Sequence, residues 1–175
     1  MKAKRISYVG LLLCFALLIN THQFFGQEKF NVSIGTGFPE LLNLGVRYQF
    51  NQSQLGLNLG TVPLGKNNAY YSLSSDYFYH FGGQSKLTHR RPWYARAGLS
   101  YIHSEGEYEI LKILFFNPRI GRDFNISKKI GVNFDIGLIF ELYRDEIEKK
   151  QHDSLLTFES PITFPSLGFG IFYRL

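Results

Sequence analysis

Residues 130–142 read IGVNFDIGLIFEL, and apolar side chains alternate there with small or polar ones. Successive side chains of a β-strand point to opposite faces, so the apolar set shares one face. That set is Ile130, Val132, Phe134, Ile136, Leu138, Phe140 and Leu142. The opposite face carries Gly131, Asn133, Asp135, Gly137 and Glu141. Glycine and short polar side chains are typical of a face that points into a narrow interior rather than into bulk water.

The same two-residue period recurs in other segments of the chain. The segments lie at residues 30–38, 42–50, 55–60, 71–81, 93–101, 116–124, 130–142 and 167–175. Tilted strands that cross a bilayer need roughly 9 to 11 residues, and most of these segments reach that length. No long segment has helical periodicity. The sequence therefore predicts an all-β fold, a closed antiparallel up-and-down transmembrane β-barrel with eight strands.

Three residue distributions favour a membrane barrel over a soluble sandwich. Lysines fall in connections or at strand ends, as expected if the strand middles contact lipid. Most glycines fall on the polar face, where they would let a tight cylinder close. Outward aromatic residues gather towards strand ends, which predicts two interfacial girdles. One girdle would contain Phe30, Tyr48, Phe50, Tyr79, Phe81, Trp93, Phe124 and Tyr173, and the other Phe38, Tyr71, Tyr101, Phe116 and Phe140.

The amino-terminal residues have the composition of an export signal. A basic start precedes an apolar run from Tyr8 to Ile19, which is shorter than the roughly 20 residues of a membrane-spanning helix. We predict a cleaved signal peptide over residues 1–27 and a single barrel domain over residues 28–175. Cys14, the only cysteine, would leave with the signal, so the mature chain would contain no disulfide and no cysteine-ligated metal.

Loss of the leader also changes the charge balance. The chain has a formal net charge of +5, of which Lys2, Lys4 and Arg5 contribute three charges. No acidic residue would leave with them. The remaining excess is small, so the charge gives little support to nucleic-acid binding.

Charged residues on the polar faces predict an interior network. They are Arg47, Arg96, Arg119, Arg174, Asp76, Asp123, Asp135 and Glu141. The equal numbers of each sign favour mutual pairing. A charged pore is the alternative, but a barrel of eight strands is only just wide enough for its own side chains. A structural network is therefore the favoured interpretation.

The segment YIHSEGEYE is the one place where nucleophile, base and acid residue types crowd together. His103, Ser104 and Glu105 are its weak catalytic candidates. Adjacent strand residues point to opposite faces, so His103 and Ser104 would not meet without a bend. A polar loop is the favoured interpretation. The histidines lack metal-ligand spacing and the glycines lack a phosphate-loop context, so we expect neither a metal nor a cofactor.

An even number of strands predicts that both termini lie on one side, the periplasm. The opposite, outer side would carry connections at residues 38–40, 63–68, 104–114 and 144–161. Within the last two, EYEILKILFF and SLLTF keep a strand-like composition. Two interpretations stay open: a protruding sheet edge that offers backbone groups to a partner strand, or a mobile charged loop.

Together, the leader, the amphipathic strands and the closing segment LGFGIFYRL resemble the small outer-membrane β-barrel family of Gram-negative bacteria, the OmpA/OmpX type. The closing segment is similar to the carboxy-terminal signal that the barrel-assembly machinery recognises, although it ends in Leu175 rather than an aromatic residue. The resemblance implies a location in the outer membrane, in contact with lipid and lipopolysaccharide. It covers the whole mature chain and leaves the function open.

Three functions are compatible with the sequence. The first is a non-enzymatic outer-membrane anchor whose surface loops serve adhesion, contact with a protein partner or envelope integrity. The second is a lipid A-modifying enzyme, an acyl hydrolase or transferase. The third is a soluble, lipocalin-like periplasmic carrier with its apolar face inward, against which the lysine distribution argues.

Overall fold

The computed structural model describes residues 29–62, 69–149 and 163–175. Antiparallel strands in these ranges close into an up-and-down barrel in chain order, with β1 hydrogen-bonded to β8. The strands are β1 Phe30–Gly37, β2 Leu42–Phe50, β3 Ser53–Val62, β4 Ala69–Gly82, β5 Trp93–Glu105, β6 Glu109–Asn125, β7 Ile130–Glu148 and β8 Thr163–Arg174. The predicted barrel and its strand count are confirmed. The predicted signal peptide over residues 1–27, Cys14 included, lies outside the described residues.

Side chains alternate between the two faces of the wall as the sequence period predicts. Leu57, Leu73 and Ile136 on the outer face are each at least half exposed, whereas Asp76, Asp135 and Ser100 on the inner face are almost completely buried. Polar and charged groups therefore fill the interior, and large apolar groups cover the exterior. The lipocalin-like arrangement, with its apolar face inward, is wrong for this chain.

Inner-face glycines provide the room that the interior side chains occupy. A Cβ at Gly168 in β8 would collide with the Asp135 carboxylate and come within 2.8 Å of Nη1 of Arg119. A side chain at this position would therefore displace two charged groups that pair with each other.

β6 begins and β7 ends well beyond the predicted segments at residues 116–124 and 130–142. Residues 109–114 of β6 pair with residues 143–148 of β7, after a register irregularity between Leu114 and Phe115. β6 and β7 form one hairpin through the turn at residues 126–129, and we call its distal part, residues 109–114 and 143–148, the far-end hairpin. The predicted connection over residues 104–114 is therefore wrong, since only residues 106–108 separate β5 from β6. The strand-like composition of EYEILKILFF is explained by this extension, whereas SLLTF lies outside the described residues.

The two ends of the barrel differ in their connections. The terminal end carries Lys29 and Leu175, the turns at residues 51–52 and 126–129, and the link over residues 83–92. The far end carries the turns at residues 38–41 and 106–108. The predicted connection at residues 144–161 is wrong at its start, because β7 continues to Glu148. Its residues from 150 onward, and the predicted connection at residues 63–68, lie outside the described residues. One connection at each end folds into the interior: Pro39 and Glu40 at the far end, and Arg90 at the terminal end, are buried.

Candidate functional site

Arg96 lies at the centre of a buried ion network that crosses the barrel interior. Its Nε donates to Oδ1 of Asp76 at 2.8 Å, and its Nη2 donates to Oε1 of Glu40 at 2.6 Å. A third carboxylate, Asp135, lies 3.8 Å from Nη1. One guanidinium thus ties together β4, β5, β7 and the turn between β1 and β2.

Arg119 of β6 forms the second node of the network. Its Nη2 donates to Oε2 of Glu40 at 2.8 Å and to the carbonyl of Phe38 at 2.7 Å, and its Nη1 donates to Oδ1 of Asp135 at 3.1 Å. Glu40 therefore receives one arginine on each carboxylate oxygen. With Asp76 and Asp135, it offsets the charges of the arginines that face the middle of the interior.

The turn that presents Glu40 is fixed inside the barrel by its own carbonyl groups. The hydroxyl of Tyr70 donates to the carbonyl of Pro39 at 2.7 Å, and Oγ of Ser72 donates to the carbonyl of Glu40 at 3.2 Å. On the opposite wall, Oγ of Ser166 donates to the carbonyl of Phe38 at 2.9 Å. The prediction that residues 38–40 form an outer connection is therefore wrong. The turn folds inward and takes up space in the interior at the far end.

Neutral groups satisfy the remaining carboxylate oxygens. Tyr94 donates its hydroxyl to Oδ2 of Asp135 at 2.8 Å, and Asn58 donates to Oδ2 of Asp76 at 2.5 Å. Asn117 donates to Oγ of Ser100 at 2.8 Å beside Glu40. Buried charges are tolerated where each is paired and hydrogen-bonded, and this arrangement meets that condition.

The other predicted interior charges do not join this network. Asp123 binds Nη2 of Arg90 at 2.8 Å, and Arg90 comes from the link over residues 83–92. Glu141 binds Arg144 through both carboxylate oxygens. The guanidinium of Arg47 stacks on the Phe78 ring, with its carbon 4.5 Å from the ring centroid.

Arg174 lies at the terminal end, where its Nη1 donates to the carbonyl of Lys128 at 2.7 Å and its guanidinium stacks on Phe172. The eight predicted charges therefore share the interior but do not all pair with one another. Glu40, Arg90 and Arg144 are the partners that sequence reasoning missed. Because the predicted interior set had four charges of each sign, no charge was left over to suggest that further partners exist.

Two uncharged layers fill the interior on either side of the ion network. The far-end layer consists of Ile102, Ile113, Phe115 and Ile139, all buried. The layer towards the terminal end consists of Phe78, Tyr94, His80 and Phe172, with Phe78 and Tyr94 in edge contact at 5.4 Å. The sequence contained one sign of the far-end layer: Ile139 is an apolar residue on the otherwise polar face of residues 130–142.

The predicted catalytic candidates lie on a regular strand rather than in a polar loop. β5 pairs without irregularity through His103, Ser104 and Glu105, opposite Lys112, Leu111 and Ile110 of β6. His103 and Ser104 thus point to opposite faces. Glu105 instead accepts a bond from Nζ of Lys149 at 2.6 Å, which lowers the pKa of its carboxyl group. The structure does not bring these residue types together as a nucleophile and base.

The far-end hairpin carries most of the exposed acidic groups. Lys112 of β6 lies 3.3 Å from Asp145 of β7, while Glu109 faces Glu148 across the pair. Partial burial and a hydrogen bond with Glu146 raise the pKa of Glu109. This end is therefore a charged, mostly acidic surface.

We also searched the described residues for metal-ligand groups and for membrane-spanning helices. In residues 29–62, 69–149 and 163–175, no group of three histidine, cysteine or acidic residues could hold a metal ion. No helix in this part of the chain is long and apolar enough to cross a membrane.

Comparison with known proteins assigns no relative. The chain matches no family model, no curated protein and no solved structure. We therefore infer a function from the residues of this chain and their geometry.

Proposed function

We propose that this protein is an integral outer-membrane β-barrel that serves as a non-enzymatic anchor. The observation that carries the proposal is the inverted distribution of polarity: charges are buried inside, and large apolar side chains are exposed outside. Among the residues that the structure describes, thirty-nine large hydrophobic residues are exposed, against seven buried hydrophobic ones. In water such a surface would aggregate, whereas in a bilayer it is the favoured exterior.

Aromatic contacts at the terminal end support an interfacial position for that rim. Arg122 stacks between Trp93 and Phe124, at 5.3 and 5.1 Å from the ring centroids. Lys129 lies 5.7 Å from the centre of the Tyr173 ring. Aromatic rings with nearby cations suit the boundary between hydrocarbon and lipid headgroups.

The filled interior supports an anchor rather than a pore. Towards the far end the interior holds Pro39, Glu40 and the layer that contains Ile102 and Phe115, and towards the terminal end it holds the layer that contains Phe78 and Tyr94. A barrel of eight strands is just wide enough for its own side chains, and here they form bonded networks across it.

Contacts with partners belong, in this proposal, to the far end. The far-end hairpin would extend outward towards the lipopolysaccharide layer, where its strands could contact a surface protein. Its exposed apolar residues include Tyr143 and Ile147. During biogenesis the barrel-assembly machinery would recognise the outer apolar face of β8, which contains Leu167, Phe169 and Ile171. No nucleic-acid partner is proposed.

Cell fractionation and gel mobility test the proposal together. We expect the protein in the outer-membrane fraction, with a compact band in mild detergent that shifts after boiling, because the closed hydrogen-bonded barrel resists unfolding at room temperature. A soluble periplasmic protein that exposes no apolar surface would contradict the proposal. A known soluble periplasmic protein in the same extract controls for leakage between fractions.

The absence of enzymatic activity has its own test. We expect the mass spectrum of lipid A to be the same in cells that express the wild-type chain, the Ser104→Ala variant or no copy of the gene, because His103 and Ser104 point to opposite faces of β5. Loss or gain of an acyl chain that depends on Ser104 would favour the lipid A enzyme instead.

A further inference from the structure

The terminal end of the barrel contains an open cavity of about 610 Å³ that the anchor function leaves unused. Its wall combines the start of β1, the turn between β2 and β3, the link over residues 83–92 and the turn after β6. Cavities that hold small molecules have volumes of roughly 300 to 1,000 Å³. This volume is therefore suited to a small ligand rather than to a folded partner.

The lining of the cavity is cationic. Lys29, Arg90, Lys128 and Arg174 contribute to it, together with His89, and no lining residue is acidic. Asp123 lies behind the lining, where it binds Arg90 at 2.8 Å and offsets that charge. The exposed Lys29 and Lys128 then leave an excess of positive charge around the cavity, beside the hydrogen-bonded guanidinium of Arg174.

The surroundings reinforce this field. In residues 79–94 and 121–132, Lys86, Arg91, Arg122 and Lys129 add further positive charges, and Asp123 is the only acidic residue. The far end has the opposite character, with its acidic hairpin. A concave, cationic surface concentrates anions because its charges act on the same volume.

The lining is also built to a fixed geometry. Arg90 is only 6 % exposed, and its Nη1 donates to Oε1 of Gln49 at 2.8 Å. Arg174 is held by the carbonyl of Lys128 and stacks on Phe172. Thr88 lines the same cavity, and its buried hydroxyl has no hydrogen-bond partner among the described residues. Two arginines are thus fixed in the wall, while the exposed Lys29 and Lys128 can adjust to a ligand.

We propose that this terminal-end cavity binds a compact, multiply charged oxyanion of the phosphate or polycarboxylate class. Lys29 and Lys128 would supply mobile ammonium donors beside the wall that contains Arg90 and Arg174. Both ligand types present several acceptor oxygens within a few ångströms, so that two ammonium groups can bind one ligand together. The site goes beyond the proposed anchor function and does not depend on where the barrel resides.

Calorimetric titration of the full mature chain in an uncharged detergent tests the site. Pyrophosphate and citrate are the probes, at low and at moderate salt. We expect one ligand to bind per chain, with an affinity that falls as salt rises, and the stronger probe identifies the ligand class. Lys29→Gln and Lys128→Gln should each weaken binding by about three- to tenfold, as expected for loss of one partly exposed cation.

Lys86→Gln is the matched control. Lys86 is an exposed lysine on the same link but does not line the cavity, so its substitution should leave the affinity within about twofold. A heat-shift gel verifies that each variant is folded. Absence of binding by both probes would overturn the proposal. So would equal weakening by all three substitutions, because that pattern reflects the general surface charge.

Discussion

Glu40→Gln should destabilise the barrel by about 3 to 5 kcal/mol, the usual effect of removing one partner from a buried ion pair. Glu40 is 2 % exposed and contacts Arg96 at 2.6 Å and Arg119 at 2.8 Å. Glutamine keeps the shape and one acceptor oxygen but removes the charge. Arg96 and Arg119 would keep Asp76 and Asp135 as charged partners, but the amide NH2 group of glutamine, itself a donor, would face one guanidinium in place of a carboxylate oxygen.

Urea unfolding in detergent, followed by the fluorescence of the single tryptophan, Trp93, measures this loss. Glu105→Gln is the matched control, because Glu105 also binds a cation at 2.6 Å but lies in solvent. We expect no measurable change for it. The double variant Glu40→Gln with Arg119→Gln should lose less than the sum of the single variants, since it removes both signs of charge. Equal stability of wild type and Glu40→Gln would show that the inward turn is not held by charge.

The wall of the barrel was predictable because a strand has a strict two-residue period. The period also holds for atypical residues: Ser75 and Arg122 are polar, yet both occupy outward positions in the two-residue alternation and are exposed. A shift by one residue would bury the apolar face, so the register is strongly determined. The exception lies in β7, where the register shifts by one residue between Glu141 and Tyr143, so that Leu142 and Tyr143 are both exposed.

The filling of the interior could not be predicted to the same extent. Glu40 and Arg90 come from connections, which have no period, and their burial depends on partners far away along the chain. Arg119, for example, is 79 residues from Glu40. For a related reason the sequence left two interpretations of the far-end hairpin open, protruding strands and a mobile loop. Beyond the predicted membrane boundary its strands carry charges on both faces, and such a composition is also typical of a solvated loop.

The outer face of β7 offers the most direct test of lipid contact. Ile136 is half exposed, lies near the middle of the predicted span and pairs with Ile120 of β6 and Leu167 of β8. Ile136→Arg should disfavour insertion into phospholipid vesicles by about 2 to 4 kcal/mol, because no water is available there to solvate the guanidinium. The folded fraction, read from the heat-shift gel across a urea series, measures this penalty.

The same substitution outside the apolar band separates a lipid effect from a general effect of arginine. Ile126 is 68 % exposed in the turn after β6 at the terminal end, so Ile126→Arg should insert like wild type. If the outer face met water instead of lipid, Ile136→Arg would replace one solvent-exposed side chain by a better hydrated one and would cost little. Equal insertion of both variants would therefore contradict a membrane-embedded wall, whereas a penalty confined to Ile136→Arg requires hydrocarbon around the middle of β7.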